Sequence, residues 1–170
     1  MEIPSEKELS RFVGLDFHHG VTDCYGLIRL FYREIFDVEL NDYARPDEWW
    51  NNGYNLYMDY FERENFRVVP EDLQRYWQFG DVILMAIQSE VPCHAGIYLG
   101  DGRILHHFYG RKSCIENYCR IWKNTTTAVI RHKDIKITKK YERVELAEDE
   151  RIKHFMLLQQ QRSGARGNNN

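Results

Sequence analysis

The 170-residue chain predicts an α+β domain, an antiparallel sheet of about five strands packed on a helix that carries a cysteine in its first turn. Three patterns predict it. Cys24, Leu27, Ile28, Phe31 and Ile35 recur at helical spacing, an apolar stripe on one face. The run His94-Ala-Gly-Ile-Tyr-Leu99, followed by Gly100-Asp101-Gly102 and then Arg103-Ile-Leu-His-His-Phe108, has the form of a β-hairpin. The unbroken apolar segment Val82 to Ile87, entered through Gly80-Asp81, suits a central strand beside the His94 strand. With 43% hydrophobic and 14% aromatic residues, the chain has the material for a real core.

From the N-terminus, Ser5 and Glu8 form a capping box for a short helix, and no apolar signal-peptide run precedes it, which fits synthesis in the cytosol. Thr22 is placed to cap the cysteine helix, with Asp23 at the positive end of its dipole. Residues 41–79 form an aromatic-rich insert, in which Asp47 caps a helix running to about Glu64. Its aromatics read mostly as packing residues, with a few left to line a cleft. Pro70-Glu71-Asp72 opens a short turn or helix. Beyond His107, Tyr109-Gly110 reads as a turn, Tyr118 to Trp122 as a short element and Thr125 to Arg131 as a closing strand. The organisation is thus one domain over 1–132, a basic segment and amphipathic helix over 133–162, and a disordered tail over 163–170.

The chemistry lies in Cys24 and the histidines. A thiol attacks as thiolate, which a helix N-terminus and a nearby imidazolium both favour. A lone cysteine on an apolar stripe is ordinarily a small buried hydrophobe; two histidines twelve residues apart tip the reading toward a cysteine hydrolase. If the hairpin loop closes on Leu99 and Arg103, Gly96 faces His106, and His94 and His106 project from one side as diagonal neighbours. A plain two-residue turn would put them on opposite faces. His94 is then the base toward Cys24, His106 holds its other ring nitrogen, and His107 points the other way. Backbone N–H groups in the first helical turn offer half an oxyanion hole.

The formal charge of −3 gives no electrostatic footprint for nucleic acid, and no apolar run suits membrane insertion. Four cysteines are too few and too irregular for a disulfide scaffold. Cys93, His94, His106, His107, Cys114 and Cys119 crowd one stretch. They lack the paired spacings of a zinc site, and strand alternation is expected to scatter them over both sheet faces, so neither metal nor cofactor is expected.

These pieces together resemble the NlpC/P60 family of papain-like cell-wall peptidases, over roughly Arg11 to His132. The matching residues are Asp23-Cys24-x-Gly26-Leu27-Ile28, Gly80-Asp81-Val82-Ile83-Leu84, His94-Ala-Gly-Ile-Tyr and His106. An aromatic after the nucleophile and Leu105-His106-His107 resemble the phage tail type. The resemblance implies a papain-like fold, with Cys24, His94 and His106 catalytic, and Asp23, Tyr25 and Phe17 near the substrate. It implies no metal, and hydrolysis of an amide in the peptide stem of peptidoglycan, typically between D-glutamate and a diamino acid. Tail-tip proteins are the implied partners, with assembly in the host cytoplasm and action from the virion tail in the periplasm or cell wall. Two departures stand out: bacterial members carry Ser where this chain has Tyr25, and a tyrosine hydroxyl near the thiolate where it has Phe17. They open a second reading, a structural tail-tip component with a weak or silent peptidase fold.

Overall fold

The computed structural model describes residues 2–69 and 74–137, and every element named below lies in one compact unit, Ile3–Lys136. The expected helix from Tyr141 to Arg162, the tail and the Pro70-Glu71-Asp72 turn fall outside the described residues.

Helix α1 (Glu6–Leu9) starts with the predicted capping box: the Ser5 side chain accepts from the Glu8 N–H while Glu8 reaches back to the Ser5 N–H at 2.8 Å. Helix α2 (Cys24–Phe36) buries Leu27, Ile28, Phe31 and Tyr32 and ends at Asp37 in the left-handed conformation. The insert differs from expectation. A single helix from Asp47 to Glu64 does not form; a 3-10 turn (Trp49–Asn51) and the five-residue α3 (Leu56–Tyr60) share the segment. Asn52-Gly53, with Gly53 at φ +81, breaks the helix between them.

Among the described residues, six strands form one antiparallel sheet in the order β1-β6-β2-β3-β4-β5. They are β1 (Phe66–Val69), β2 (Val82–Met85), β3 (His94–Gly100), β4 (Arg103–His106), β5 (Cys114–Asn117) and β6 (Thr126–His132). Two of these, β5 and β1, are not among the strands placed from the sequence; the insert supplies β1, in which Phe66 to Val69 pair with His132 back to Val129 at the sheet edge. A short helix, α4 (Ile121–Thr125), connects β5 to β6. As expected, β2 is internal and flanked by β3, with β6 on its other side.

Alternation divides the sheet. Ile83, Met85, Tyr98, Ile104 and Val129 join Trp77, Tyr118 and Trp122 in one buried cluster. The intervening residues Val82, Leu84, Ala95, Ile97 and Leu105 face the other way and are also buried. Helix α2 packs against β3. The Gly80-Asp81 motif has a physical basis at both positions. Gly80 sits at φ +90, and a Cβ there would collide with the Phe36 ring. Asp81 is 1% exposed and accepts from Arg131 Nε at 2.7 Å and Nη2 at 2.8 Å, a two-pronged pair that ties β2 to β6.

Candidate active site

Asp23, not Thr22, caps α2. Its Oδ1 accepts from the Gly26 N–H at 2.8 Å, while the Thr22 hydroxyl donates to the Asp16 carbonyl at 2.7 Å. A carboxylate one residue nearer the helix is the better geometric match, and Cys24 becomes the first helical residue. The other Asp23 oxygen accepts from the Gly20 N–H and from Arg45 Nε, both at 2.8 Å. Arg45 donates onward to the carbonyls of Gly20 and Tyr43. Gly26 is required by space, since a Cβ would run into the Val21 carbonyl.

The Cys24 sulfur lies 3.2 Å from the Tyr57 hydroxyl, which α3 brings in from the insert. Burial pushes the Cys24 thiol up to about 11, and the neighbouring Asp23 charge adds to the effect. The Tyr57 hydroxyl and the backbone N–H groups of Ala95 and Tyr25 oppose it in part. In the free protein the sulfur therefore rests as thiol at neutral pH.

The histidines reach their places by strand register. Gly96 stands opposite His106, as the hairpin reading required, yet the loop is not the one expected. Gly100, not Leu99, pairs with Arg103; the turn is Asp101-Gly102, both at positive φ, and the register shifts between Tyr98 and Gly100. That irregularity restores the pairing that a plain two-residue turn would have lost. His94 Nε2 lies 3.1 Å from His106 Nδ1. Gly96 makes room for them, because a Cβ there would stand 3.2 Å from the His106 Cβ. Burial, with the neighbouring His106 and His107, drives His94 down to about 3. Burial likewise takes His106 to about 4, against the pull of Glu116. Nε2 of His94 is engaged by His106, and Nδ1 is its remaining ring nitrogen.

Cys24, Tyr57 and His94 line one cavity of about 390 Å³ together with Asp23, Tyr25 and Phe17. His107 lines the same cavity as His94, whereas His106, joined to His94 through Nδ1, is not among its walls. The Phe17 ring meets His107 edge-on at 5.2 Å. Tyr25 carries the Arg45 guanidinium over its ring at 5.0 Å and donates its hydroxyl to the Asn41 carbonyl at 2.8 Å. Asp23 borders the cavity with both oxygens already occupied by the donors named above. Sequence reasoning missed Tyr57 and Arg45. Both lie in or near the aromatic insert, where neither spacing nor neighbours distinguish them from packing residues.

Residues 12–131 match the sequence profile of the NlpC/P60 family. The chain belongs to that family. Two curated relatives are named tail tip assembly protein K, from Escherichia phage lambda (43% identical over 120 residues) and from Escherichia phage N15 (34% identical over 119 residues). Those alignments cover 71% and 69% of this chain, but only 58% and 47% of the relatives, so the chain spans about half their length. Among solved structures, an NLP/P60-family lipoprotein-like protein of Staphylococcus aureus superposes with a TM-score of 0.52 at 19% identity. The superposition covers 77% of this chain and 43% of that one. The shared architecture is the α+β papain-like arrangement of the NlpC/P60 fold.

Proposed function

We propose that this NlpC/P60 domain is a cysteine hydrolase that cleaves an amide in the peptide stem of peptidoglycan, the bond between D-glutamate and a diamino acid. The observation that carries the reading is the convergence of the Cys24 thiol, the Tyr57 hydroxyl and the His94 imidazole on one cavity, with His106 behind His94.

Because thiol and imidazole both rest neutral, attack and proton transfer are coupled: as Sγ bonds to the scissile carbonyl carbon, its proton passes to His94 Nδ1. The oxyanion that forms takes hydrogen bonds from first-turn backbone N–H groups and from Tyr57 Oη. His94, now charged, hands its proton to the departing amine, and water activated by neutral His94 clears the thioester. His106 acts through His94: by accepting Nε2–H at its own Nδ1 it keeps His94 Nδ1 bare. Tyr57 supplies the hydroxyl that Phe17 lacks. Tyr25, Phe17 and Asp23 shape the substrate side, Asp23 acting through the loop it holds.

The relatives' names place their proteins in tail-tip assembly. By extension we infer that this chain partners tail-tip proteins, is assembled in the host cytoplasm and acts from the virion tail at the cell wall. A second reading, an assembly component with silent chemistry, is favoured by those same names and by the high resting pKa of Cys24. Purified peptidoglycan incubated with wild type and Cys24→Ala, followed by mass spectrometry of the released muropeptides, separates the two. New free amines from wild type alone support the hydrolase. No cleavage by either protein, with tail assembly requiring the protein and supported equally by wild type and Cys24→Ala, supports the structural role.

A further inference from the structure

His106 presents its second nitrogen to a cluster the reaction does not use. Nε2 lies 3.5 Å from Cys114 Sγ and 3.8 Å from Glu116 Oε2, and Cys114 Sγ lies 3.5 Å from Glu116 Oε1. The alternation expected to scatter such groups gathers these three. Cys114 stands directly across from His106, and Glu116, two residues on, shares that face. A tetrahedral zinc ion, with Zn–S about 2.3 Å and Zn–N and Zn–O about 2.0–2.2 Å, holds its ligand atoms about 3.3–3.6 Å apart. The His106–Cys114 pair is already at that spacing, and with one donor atom from each residue the three lie within 4.8 Å of one another, so a rotation of the half-exposed Glu116 carboxylate closes the set. Around it stand the partners that steady a metal site: Trp122 Nε1 donates to Glu116 Oε2 at 3.0 Å, and His106 is anchored at its far nitrogen by His94. A shallow depression lined by Glu116, Cys119, Arg120 and Trp122 opens beside it, a route for an ion and for a water as fourth ligand.

We propose that His106, Cys114 and Glu116 form a site for a thiophilic divalent cation, zinc by the character of its nitrogen, sulfur and oxygen donors, and that its occupation switches off the base. The site itself rests on geometry alone, whereas the switch rests on the hydrolase reading. In the productive state the His106 proton is on Nε2, so that Nδ1 accepts from His94. A cation on Nε2 excludes that proton, and binding releases the Cys114 thiol proton to solvent. Neutral His106 then carries its proton on Nδ1 and donates it toward His94 Nε2. The His94 proton moves to Nδ1, the nitrogen that must be bare to accept from Cys24. No atom of the cleft need move; one ion behind the base leaves it in the wrong tautomer.

The test is titration of the reduced full chain with Co²⁺, read by the thiolate-to-cobalt charge-transfer band, and with Zn²⁺, read by proton–nitrogen NMR of the histidine rings. The expected result is one ion per chain, with the band present in wild type and in Cys24→Ser, absent in Cys114→Ser, and at least tenfold weaker in affinity in Glu116→Gln. Zinc should move the His94 proton from Nε2 to Nδ1. On peptidoglycan, zinc should lower wild-type kcat at least tenfold with KM unchanged and leave Cys114→Ser unaffected. Absence of the band, or a band that survives in Cys114→Ser and vanishes in Cys24→Ser, overturns the site. The band with an unchanged His94 tautomer overturns the switch. A chain that shows band and tautomer shift but never hydrolyses peptidoglycan overturns the hydrolase reading and leaves the site supported. Should Cys114→Ser fail to fold by circular dichroism, Glu116→Gln carries the same comparison.

Discussion

The two ends of the proposed active site are held by different means. At the nucleophile end, loop and insert residues converge on the start of α2: Asp23 takes Gly20, Gly26 and Arg45 at once, and Tyr57 arrives from 33 residues away. At the base end, His94 and His106 are set by the antiparallel ladder, His106 directly across from Gly96 and His94 two residues before it, across from Met85. A ladder fixes side chains through backbone hydrogen bonds that any sequence makes, so its geometry follows from register. A loop cradle depends on each side chain in it. The nucleophile end should therefore be fragile to single substitutions around Cys24, and the base end chiefly to changes that disturb register.

The largest effects come from the reacting groups. Cys24→Ala should lower kcat by about 10⁶-fold while keeping the circular dichroism spectrum, and His94→Ala should approach it. His106→Ala, which removes an orienting partner and not the base, should cost about 10⁴-fold. Survival of full muropeptide release in Cys24→Ala would end the thiol mechanism. Next comes the hydroxyl: Tyr57→Phe should lower kcat by about 10²-fold with KM little changed, the signature of a donor that matters most in the transition state.

The cradle itself is tested by Arg45→Met, which leaves the Asp23 carboxylate buried without its cation. The expected loss is about 3 kcal/mol in urea unfolding, with activity falling at temperatures where the fold persists. Gly96→Ala is the counterpart at the base end. Its Cβ must displace His106 by a few tenths of an ångström, for a loss of about 1 kcal/mol, and kcat should suffer more than stability. If Gly96→Ala proves the more damaging to stability, the contrast between the two ends is wrong.

The smallest effect is a shift in a titration. Because burial raises Cys24 to about 11, its alkylation by iodoacetamide should climb steadily with pH through the alkaline range, with a midpoint near pH 11. The Tyr57 hydroxyl favours the thiolate, so Tyr57→Phe should push that midpoint higher still. A midpoint near the ordinary thiol value of 9 would mean that the sulfur is open to water.

What could be read in the sequence follows the same division. The stripe from Cys24 to Ile35 announced α2, and the twelve-residue interval between His94 and His106 announced their pairing. Periodicity reports what regular backbone does with neighbouring residues. It was less exact about means: Asp23 displaced Thr22 as the cap, and a register shift near Leu99 did the work expected of a three-residue loop. The insert was misread, because Gly53 divided the expected helix and Phe66–Val69 paired with β6. Tyr57 was invisible for the same reason, since a contact across 33 residues of irregular chain leaves no local pattern. Cys114 and Glu116 were legible only once β5 could be set against β4.

The place of β1 has a consequence for anyone trimming this domain. Because the insert supplies the edge strand, cutting it out would leave β6 with a bare row of N–H and C=O groups along Val129 to His132. That is a template on which another chain can add a strand. A minimal version retaining Cys24, His94 and His106 would lose the Tyr57 hydroxyl and gain a sticky border together. Its first symptom in the test tube would be aggregation, easily mistaken for the loss of a catalytic group.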